Sequence, residues 1–459
     1  MVTDFEKRKE ELLAECEVKP ELFDKVLPRL NEFMVPFVES FSRIELVGHA
    51  ETFVSGLLSD LESKNAESIA YRHGQERMPL QWFLGVSKWD HKPLNDELVQ
   101  QVEKALGDKD GVLVFDPSGF KKSGRSSVGV ARQWCGRLGK VDNCQIAIYM
   151  GYVTQHEHAL VDVRLYLPKE WTTDKQRMEK AGVPKGTKYK TRHELSLEML
   201  ATHGKTLPHS WIAGDDEMGR PYWFRKALHD LSERYLLAVP SNTHIRDLEI
   251  DAPVHVRTGD PKARPWIRMD QWVAARESDE WTEINVRDGA QGPLIVEAMK
   301  RCVAAKDENK KEGHAEMFVV IRYRDRDANR IVKTDYYLSN ASGDTSLSEF
   351  CRVAKAEHRI EECIQRGKSE VGLGDYEVRN WCGWHHHQTL SLIACLFLIV
   401  EAQRGKKNHS GDHCATDSQR RISDPASSLR MRYTPPNPSR TGAATQAKRT
   451  RTPVSLETT

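Results

Sequence analysis

The sequence predicts an α/β fold that is preceded by an all-helical N-terminal region. Apolar residues recur with a helical period over residues 5–105. From Gly111 onward the pattern changes to short, continuous apolar runs that have the length of buried strands. A chain of 459 residues with 39% hydrophobic residues is long enough to form two or three structural units around a core.

The N-terminal region, residues 1–105, has few signals for strands. Its apolar residues instead follow a 3.6-residue period, as two groups illustrate: Leu12, Leu13 and Cys16, and then Leu57, Leu58 and Leu61. The segment LNDELVQQVEKAL closes this pattern. We therefore expect helices throughout this region.

Three apolar runs follow, and they predict an antiparallel meander. The first is VLVFD, a short buried strand that ends in the carboxylate of Asp116. The second, CQIAIYMGYVT, comes after a glycine-rich turn, and the third, HALVDVRLYLP, comes after a charged turn. Consecutive strands that are joined by turns of this kind usually pair with their neighbours in the chain.

Helices and strands alternate in the rest of the chain. A helix around Leu195 to Leu200 precedes the strand WIAGDD, and an amphipathic helix, RPYWFRKALHDL, precedes the buried strand RYLLAVP. Short strands separated by polar turns fill residues 245–345, and residues 347–404 are predicted to be helical. Residues 405–459 hold ten Lys or Arg against four acids with few large apolar residues, which predicts a basic disordered tail.

The composition excludes several classes of protein. Lys plus Arg (68) and Asp plus Glu (67) nearly balance, so nucleic-acid binding requires local basic patches. Nine cysteines without a CxxC pair argue against a disulfide framework and indicate reduced thiols. The charged N-terminus has no apolar signal region, and the run Leu390–Val400 is too short to span a bilayer. We expect a soluble, cytoplasmic protein.

Three acids are candidates for catalysis. Asp116 and Asp215 each follow a predicted buried strand, and Glu361 lies on a predicted helix seven residues before Lys368. Taken singly, the acids also fit a helix cap, a solvated acidic turn (Asp215 is followed by Asp216 and Glu217) and a charged helix face. Taken together, they can converge at one edge of a sheet, where Mg²⁺ offsets their mutual repulsion. Two such ions promote phosphoryl transfer.

Long blocks around these acids resemble the DDE transposases of bacterial insertion sequences, in particular the IS701-type group of the IS4-like superfamily. The blocks are FDPSGFKKSGRSSVGVARQWCGRLGKVDNCQIAI, then GDDEMGR with the following helix and YLLAVP, and finally RIEECIQRGKSEVGLGDYEVRNWCGWHHHQTLSLIACLFL. The resemblance implies an RNase H-like catalytic domain over residues 106–404, interrupted by a β-rich insertion at about 242–345. It also implies that Asp116, Asp215 and Glu361 bind Mg²⁺ or Mn²⁺ and that Lys368 is their basic partner.

The function that the resemblance implies is DNA cleavage at insertion-sequence ends followed by strand transfer. The implied partners are double-stranded DNA, as terminal inverted repeats and as target, and a second copy of the chain in a homodimer. Residues 1–105 would help to bind the ends, and the protein would be cytoplasmic and nucleoid-associated when bound to DNA. Two alternatives stay open: a catalytically inactive DNA-binding relative that acts as a regulator, and a metal-dependent nuclease without strand transfer.

The sequence also departs from the pattern of that group, which often reads Tyr-x₂-Arg-x₃-Glu-x₆-Lys. Counting back from Glu361 places Glu357 and Ala354 where Arg and Tyr would be, and Met218 replaces an aromatic residue. Other residues suggest contacts to DNA. Basic residues follow Asp116 within 24 positions and could line a phosphate backbone: Lys121, Lys122, Arg125, Arg132, Arg137 and Lys140. A tryptophan of the insertion (Trp266, Trp272 or Trp281) could stack on an unpaired base.

Overall fold

The computed structural model describes residues 25–250, 265–289, 292–325 and 330–410. The predicted helices before residue 25 and most of the predicted tail lie outside these ranges. The elements between residues 26 and 106 are all helices: α1 (Val26–Val38), α2 (Ile44–Leu57), α3 (Ala66–Arg72), α4 (Arg77–Gly85) and α5 (Lys92–Leu106). Buried side chains recur on α1 every three or four residues, at Val26, Leu30, Met34 and Phe37.

The later helices are α6 (Lys169–Thr173), α7 (Lys175–Lys180), α8 (Arg192–His203), α9 (Asp216–Gly219), α10 (Tyr222–Asp230), α11 (Met269–Ala274), α12 (Leu347–Glu370) and α13 (Trp381–Ser410). Helix α8 begins where the sequence supplies a capping box, because the side chain of Thr191 accepts from the amide of Glu194 and the Glu194 side chain accepts from the amide of Thr191.

Within the described ranges, twelve strands form one mixed sheet. They are β1 (Val112–Lys121), β2 (Ala131–Cys135), β3 (Lys140–Val153), β4 (His158–Leu165), β5 (Trp211–Gly214), β6 (Tyr235–Ala238), β7 (His244–Asp247), β8 (Ile267–Arg268), β9 (Thr282–Gly289), β10 (Gly292–Lys306), β11 (Glu312–Asp325) and β12 (Arg330–Ser339). The fold is therefore a mixed α/β fold, in agreement with the predicted class.

The centre of the sheet has the strand order β4–β3–β1–β5–β6. Strands β1, β3 and β4 pair antiparallel, which confirms the predicted meander. Strand β5 joins β1 in parallel, and β6 joins β5 in parallel. The short strand β2, which pairs with the beginning of β3, has no clear signal in the sequence.

The β-rich region from β7 to β12 continues this sheet. Strand β12 pairs antiparallel with β6, and β11, β10 and β7 follow outward from it. These strands are longer than predicted: β10 has 15 residues and β11 has 14. The predicted insertion is thus joined edge to edge to β6, the strand next to β5, and so belongs to the same sheet as the first two acids.

Helices α12 and α13 pack against the central strands and complete the core. A single hydrophobic core contains residues of the N-terminal helices, the central strands, α12 and α13. The run Leu390–Phe397 is buried inside α13, as expected for a buried helix. Within the described ranges, every helix is too short or too polar to cross a membrane.

Two boundaries differ from the prediction. Strand β1 does not end at Asp116 but continues to Lys121, because β3 supplies pairing partners along its whole length. Helix α13 continues to Ser410, six residues into the segment predicted as a tail, and residues 411–459 lie outside the described ranges. The seven cysteines of the described residues are free thiols, as predicted.

Candidate active site

Asp116 and Asp215 occupy equivalent positions on neighbouring parallel strands. The parallel pairing of β1 with β5 ends at the pair Phe115 and Gly214, so Asp116 on β1 and Asp215 directly after β5 each come one residue beyond this pair. Adjacent strands lie about 4.8 Å apart, which brings the two side chains to the same point of the sheet edge. The predicted strand end at Asp116 therefore corresponds to the end of its parallel pairing.

Asp215 is held in place by the helix that follows it. It is the N-cap of α9, and its Oδ1 accepts a hydrogen bond of 2.9 Å from the amide of Met218. Burial raises the pKa of Asp215 to about 7, and the negative charges of Glu217 and Asp216 add to this shift. The hydrogen bond from Met218 acts in the opposite direction.

Asp116 lies in an electrostatic environment that disfavours its ionised form. Burial raises its pKa well above the ordinary value, and the carboxylates of Asp215 and Glu361 raise it further. The ammonium of Lys368 partly offsets these effects. The predicted site residues Asp116, Asp215, Glu361 and Lys368 thus influence one another across three separate parts of the chain.

Helix α12 brings Glu361 and Lys368 to the sheet, but the two side chains differ in placement. The Nζ of Lys368 donates a hydrogen bond of 2.8 Å to the Oγ of Ser118 and lies 4.6 Å from the centre of the Phe120 ring. Glu361 is 61% exposed, and its Oε2 lies 3.6 Å from the Nδ1 of His358. Glu361 therefore lies at the solvent side of the cluster.

Glu357 is the acid that the sequence analysis did not assign to the site. It lies one helical turn before Glu361 on α12 and is partly buried. Burial raises the pKa of Glu357 well above its ordinary value, and the charges of Asp215, Glu361 and Asp116 contribute in that order. The available signal was the i, i+4 spacing of two glutamates, which places both on one helix face.

The neighbouring acids of the second block point elsewhere. Asp216 is 57% exposed and pairs with Arg220 at 3.3 Å, and Glu217 forms an ion pair with Arg192. This arrangement favours Asp215 over Asp216 as the acid of the second block.

The cluster has the donor chemistry of a divalent-metal site. Within the described ranges, no three His, Cys, Asp or Glu side chains already lie close enough to enclose an ion. The four carboxylates nevertheless supply the hard oxygen ligands that Mg²⁺ and Mn²⁺ prefer. Their mutual repulsion, together with burial, is a cost that bound divalent cations would offset. The residues present therefore fit a metal site that tightens on binding.

The basic residues that follow Asp116 are mostly exposed. Lys122 is the exception: its Nζ lies 3.5 Å from the centre of the Tyr376 ring, and burial lowers its pKa to about 8. The other residues with described side chains lie on the surface: Lys121, Arg125, Arg132 and Lys140. The side chain of Arg137 lies outside the described part of the structure.

A second basic surface was missed by the sequence analysis. A groove of about 430 Å³ is lined by basic side chains from three parts of the chain, together with the start of α13: Lys92, Arg164, Lys188, Lys190, Trp381 and His385. Helices α5 and α13 both begin here, and the N-terminus of a helix carries partial positive charge. The missed signal was residues 180–193, which hold five Lys or Arg and no acid. We refer to this surface as the basic groove.

The tryptophans of the β-rich region have intramolecular contacts. Trp272 is only 2% exposed, and its Nε1 donates to Asp247 at 3.1 Å, so it is a core residue. Cationic side chains lie over the rings of the other two: Arg322 over Trp281, and Arg246 and Lys306 over Trp266. The prediction that a base could stack on Trp272 is therefore wrong. Stacking on Trp266 or Trp281 would require displacement of the cationic side chain that lies over the ring.

A family of known proteins matches this chain in the region that carries the first two acids. Residues 36–293, more than half of the chain, match the family of DDE superfamily endonucleases. The chain belongs to this family. It is also 28% identical over 200 residues to the probable transposase for insertion sequence element IS701 from Microchaete diplosiphon.

That similarity covers 42% of this chain and 49% of the relative, so the chain matches about half of the relative's length. The two findings confirm the resemblance to DDE transposases. The family match includes Asp116 and Asp215 but ends before Glu357, Glu361 and Lys368. The assignment of the helix residues therefore depends on their geometry and on the sequence pattern.

Proposed function

We propose that the protein is a DNA transposase that cleaves insertion-sequence ends and joins them to target DNA. The central observation is the convergence of Asp116 and Asp215 at the end of one parallel strand pair, with the acids and Lys368 of α12 beside them. The strand order β4–β3–β1–β5–β6, three antiparallel strands followed by two parallel ones, supports an RNase H-like catalytic domain.

Asp116, Asp215 and Glu361 would hold two divalent ions. When bound, such ions supply an activated nucleophile, first water and then a 3′-hydroxyl, and stabilise the leaving oxygen of the phosphodiester. Asp215 is already oriented by the amide of Met218. Glu361 is exposed, so it can turn toward the strand edge without breaking a buried contact.

Lys368 would bind a phosphate oxygen next to the cleaved bond. Its ammonium lies at the sheet edge beside Asp116, where Ser118 holds it at 2.8 Å. A lysine acts on phosphate as a point charge, so it can exchange the Ser118 hydroxyl for a phosphate oxygen without strict geometry.

The DNA would extend from this site over basic surfaces. The basic groove and the exposed residues after Asp116 are local patches of the kind that a chain with balanced charge needs for DNA binding. We further propose that the N-terminal helices contact the terminal inverted repeats, that the tail adds affinity, and that two copies hold the two ends.

A strand-transfer assay tests this function. The substrates are short duplexes that carry the inverted repeats flanking the gene, incubated with plasmid target and Mg²⁺ or Mn²⁺. We expect cleaved ends and joined products, and the Asp116→Asn protein should bind the same duplex without cutting it. Cleavage without joined products would support a nuclease, and end binding without cleavage by the wild-type protein would support an inactive regulator.

A further inference from the structure

We propose that Glu357 is a fourth carboxylate of the metal site and positions the ions from the inner side of α12. The inference deepens the proposed function and rests on it.

The packing of α12 places Glu357 against the sheet. Its neighbours Ala356 and Ile360 are buried, with exposures of 2% and 0%. Ile360 lies directly against Gly151 of β3, where any Cβ would overlap its side chain, so the helix approaches the strand backbone closely. One turn later, Glu361 is 61% exposed. Of the two glutamates, Glu357 therefore lies deeper in the cluster.

Within the described ranges, Glu357 forms no hydrogen bond or ion pair, whereas Glu362 on the same helix pairs with Arg366. The charges that act on it most strongly belong to acids, namely Asp215, Glu361, Asp116 and Asp335 of β12. A carboxylate buried among carboxylates destabilises the protein unless cations reach it. An acid in this position therefore points to a ligand that is itself positively charged.

The charge balance of the site agrees with this role. Asp116, Asp215, Glu357 and Glu361 together carry four negative charges, which equals the charge of two divalent ions. Lys368 then remains available to balance the incoming phosphate. With three acids alone, the ions would leave the site positive before DNA arrives.

The test compares metal binding and stability in the full-length protein without DNA. Mn²⁺ affinity is measured by electron paramagnetic resonance after removal of metal, and thermal unfolding is measured with and without Mn²⁺. Glu357→Gln retains shape but removes the charge. We expect it to weaken Mn²⁺ binding by about 10- to 100-fold. We also expect it to raise the melting temperature of the metal-free protein, because a repelled buried charge is gone.

Two controls make the outcome specific. Glu362→Gln removes a charge from the same helix outside the cluster, together with its ion pair to Arg366. It should leave the Mn²⁺ affinity unchanged and should not raise the melting temperature, while Glu357→Asp should retain part of the Mn²⁺ affinity. Wild-type Mn²⁺ affinity in Glu357→Gln, with loss of affinity in Asp116→Asn, would overturn this inference and leave the proposed function intact. Unfolding of Glu357→Gln would also overturn it, because it would assign Glu357 a structural contact. Wild-type Mn²⁺ affinity in Asp116→Asn would instead refute the metal site itself.

Discussion

Replacement of Lys368 separates the role of its charge from the role of its packing. The ammonium of Lys368 donates to the hydroxyl of Ser118 and lies 4.6 Å from the centre of the Phe120 ring. Lys368→Met retains an unbranched side chain of similar length and removes the charge, and Lys368→Ala removes both. Lys368→Arg retains the charge with a different shape.

The expected magnitude follows from the contact that Lys368 would make. A hydrogen bond between charged groups contributes about 1.5–3 kcal/mol, which corresponds to a loss of about 10- to 150-fold in the cleavage rate. Lys368→Met and Lys368→Ala should fall in this range, while Lys368→Arg should retain part of the activity. An ordinary exposed lysine in an i, i+4 network would cost under about 0.5 kcal/mol.

Single-turnover cleavage of a pre-bound duplex end measures this effect without product release. Mn²⁺ affinity serves as the control, because Lys368 is not proposed as a metal ligand and its removal should leave the ions bound. Unchanged cleavage rates in Lys368→Met and Lys368→Ala would refute the phosphate contact. Loss of activity in Lys368→Ala and Lys368→Arg, with activity retained in Lys368→Met, would indicate that packing, not charge, is the important property.

Three further predictions concern the acids and the basic groove. Replacement of any one of the three acids by alanine (Asp116→Ala, Asp215→Ala or Glu361→Ala) should abolish metal-dependent cleavage and retain end binding in a gel-shift assay. Cleavage near the wild-type rate in one of these variants would reject the assignment of that acid as a metal ligand. The pKa of Asp215, raised by burial from 3.8 to about 7, means that the folded, metal-free protein binds this proton more tightly than the unfolded chain. The contribution of Asp215 to stability is therefore present below about pH 4 and is lost between pH 4 and 7. In thermal unfolding of the metal-free protein, the loss of stability over this pH window should be smaller in Asp215→Asn than in the wild type. Replacement of Lys92 and Lys188 in the basic groove by alanine should reduce the slope of log affinity against log salt by about 1.8 for two lost phosphate contacts; an unchanged slope would place the DNA elsewhere.

The sequence was sufficient to predict the strands that carry the first two acids. VLVFD and WIAGDD are short apolar runs that end in carboxylates. In the structure the two runs form a pair of neighbouring parallel strands. Such local patterns can be recognised from the length and the spacing of apolar residues alone. The predicted end of the first strand at Asp116 was wrong, because β1 continues to Lys121 along β3, which lies farther along the chain.

The side chains of α12 illustrate what the sequence could not predict. A helical period places Glu357 and Glu361 on one face, but it does not indicate which of them lies against the sheet. That depends on the approach of α12 to β3, where Gly151 leaves room for Ile360. The basic groove likewise depends on tertiary packing, because Lys92 and Lys188 come together only when α5 packs near the loop before α8.

The docking of α12 also connects the stability of the fold to the chemistry of the site. Asp116 and Asp215 are held by strand pairing, whereas Glu357, Glu361 and Lys368 reach them only while Ile360 packs against Gly151. Repulsion among the four acids opposes this packing in the absence of metal, and the contact of Lys368 with Ser118 supports it. Divalent ions would reverse the sign of the interaction between helix and sheet, because each ion attracts carboxylates from both. Metal binding and the seating of α12 should therefore be coupled, with DNA phosphate adding to the coupling through Lys368.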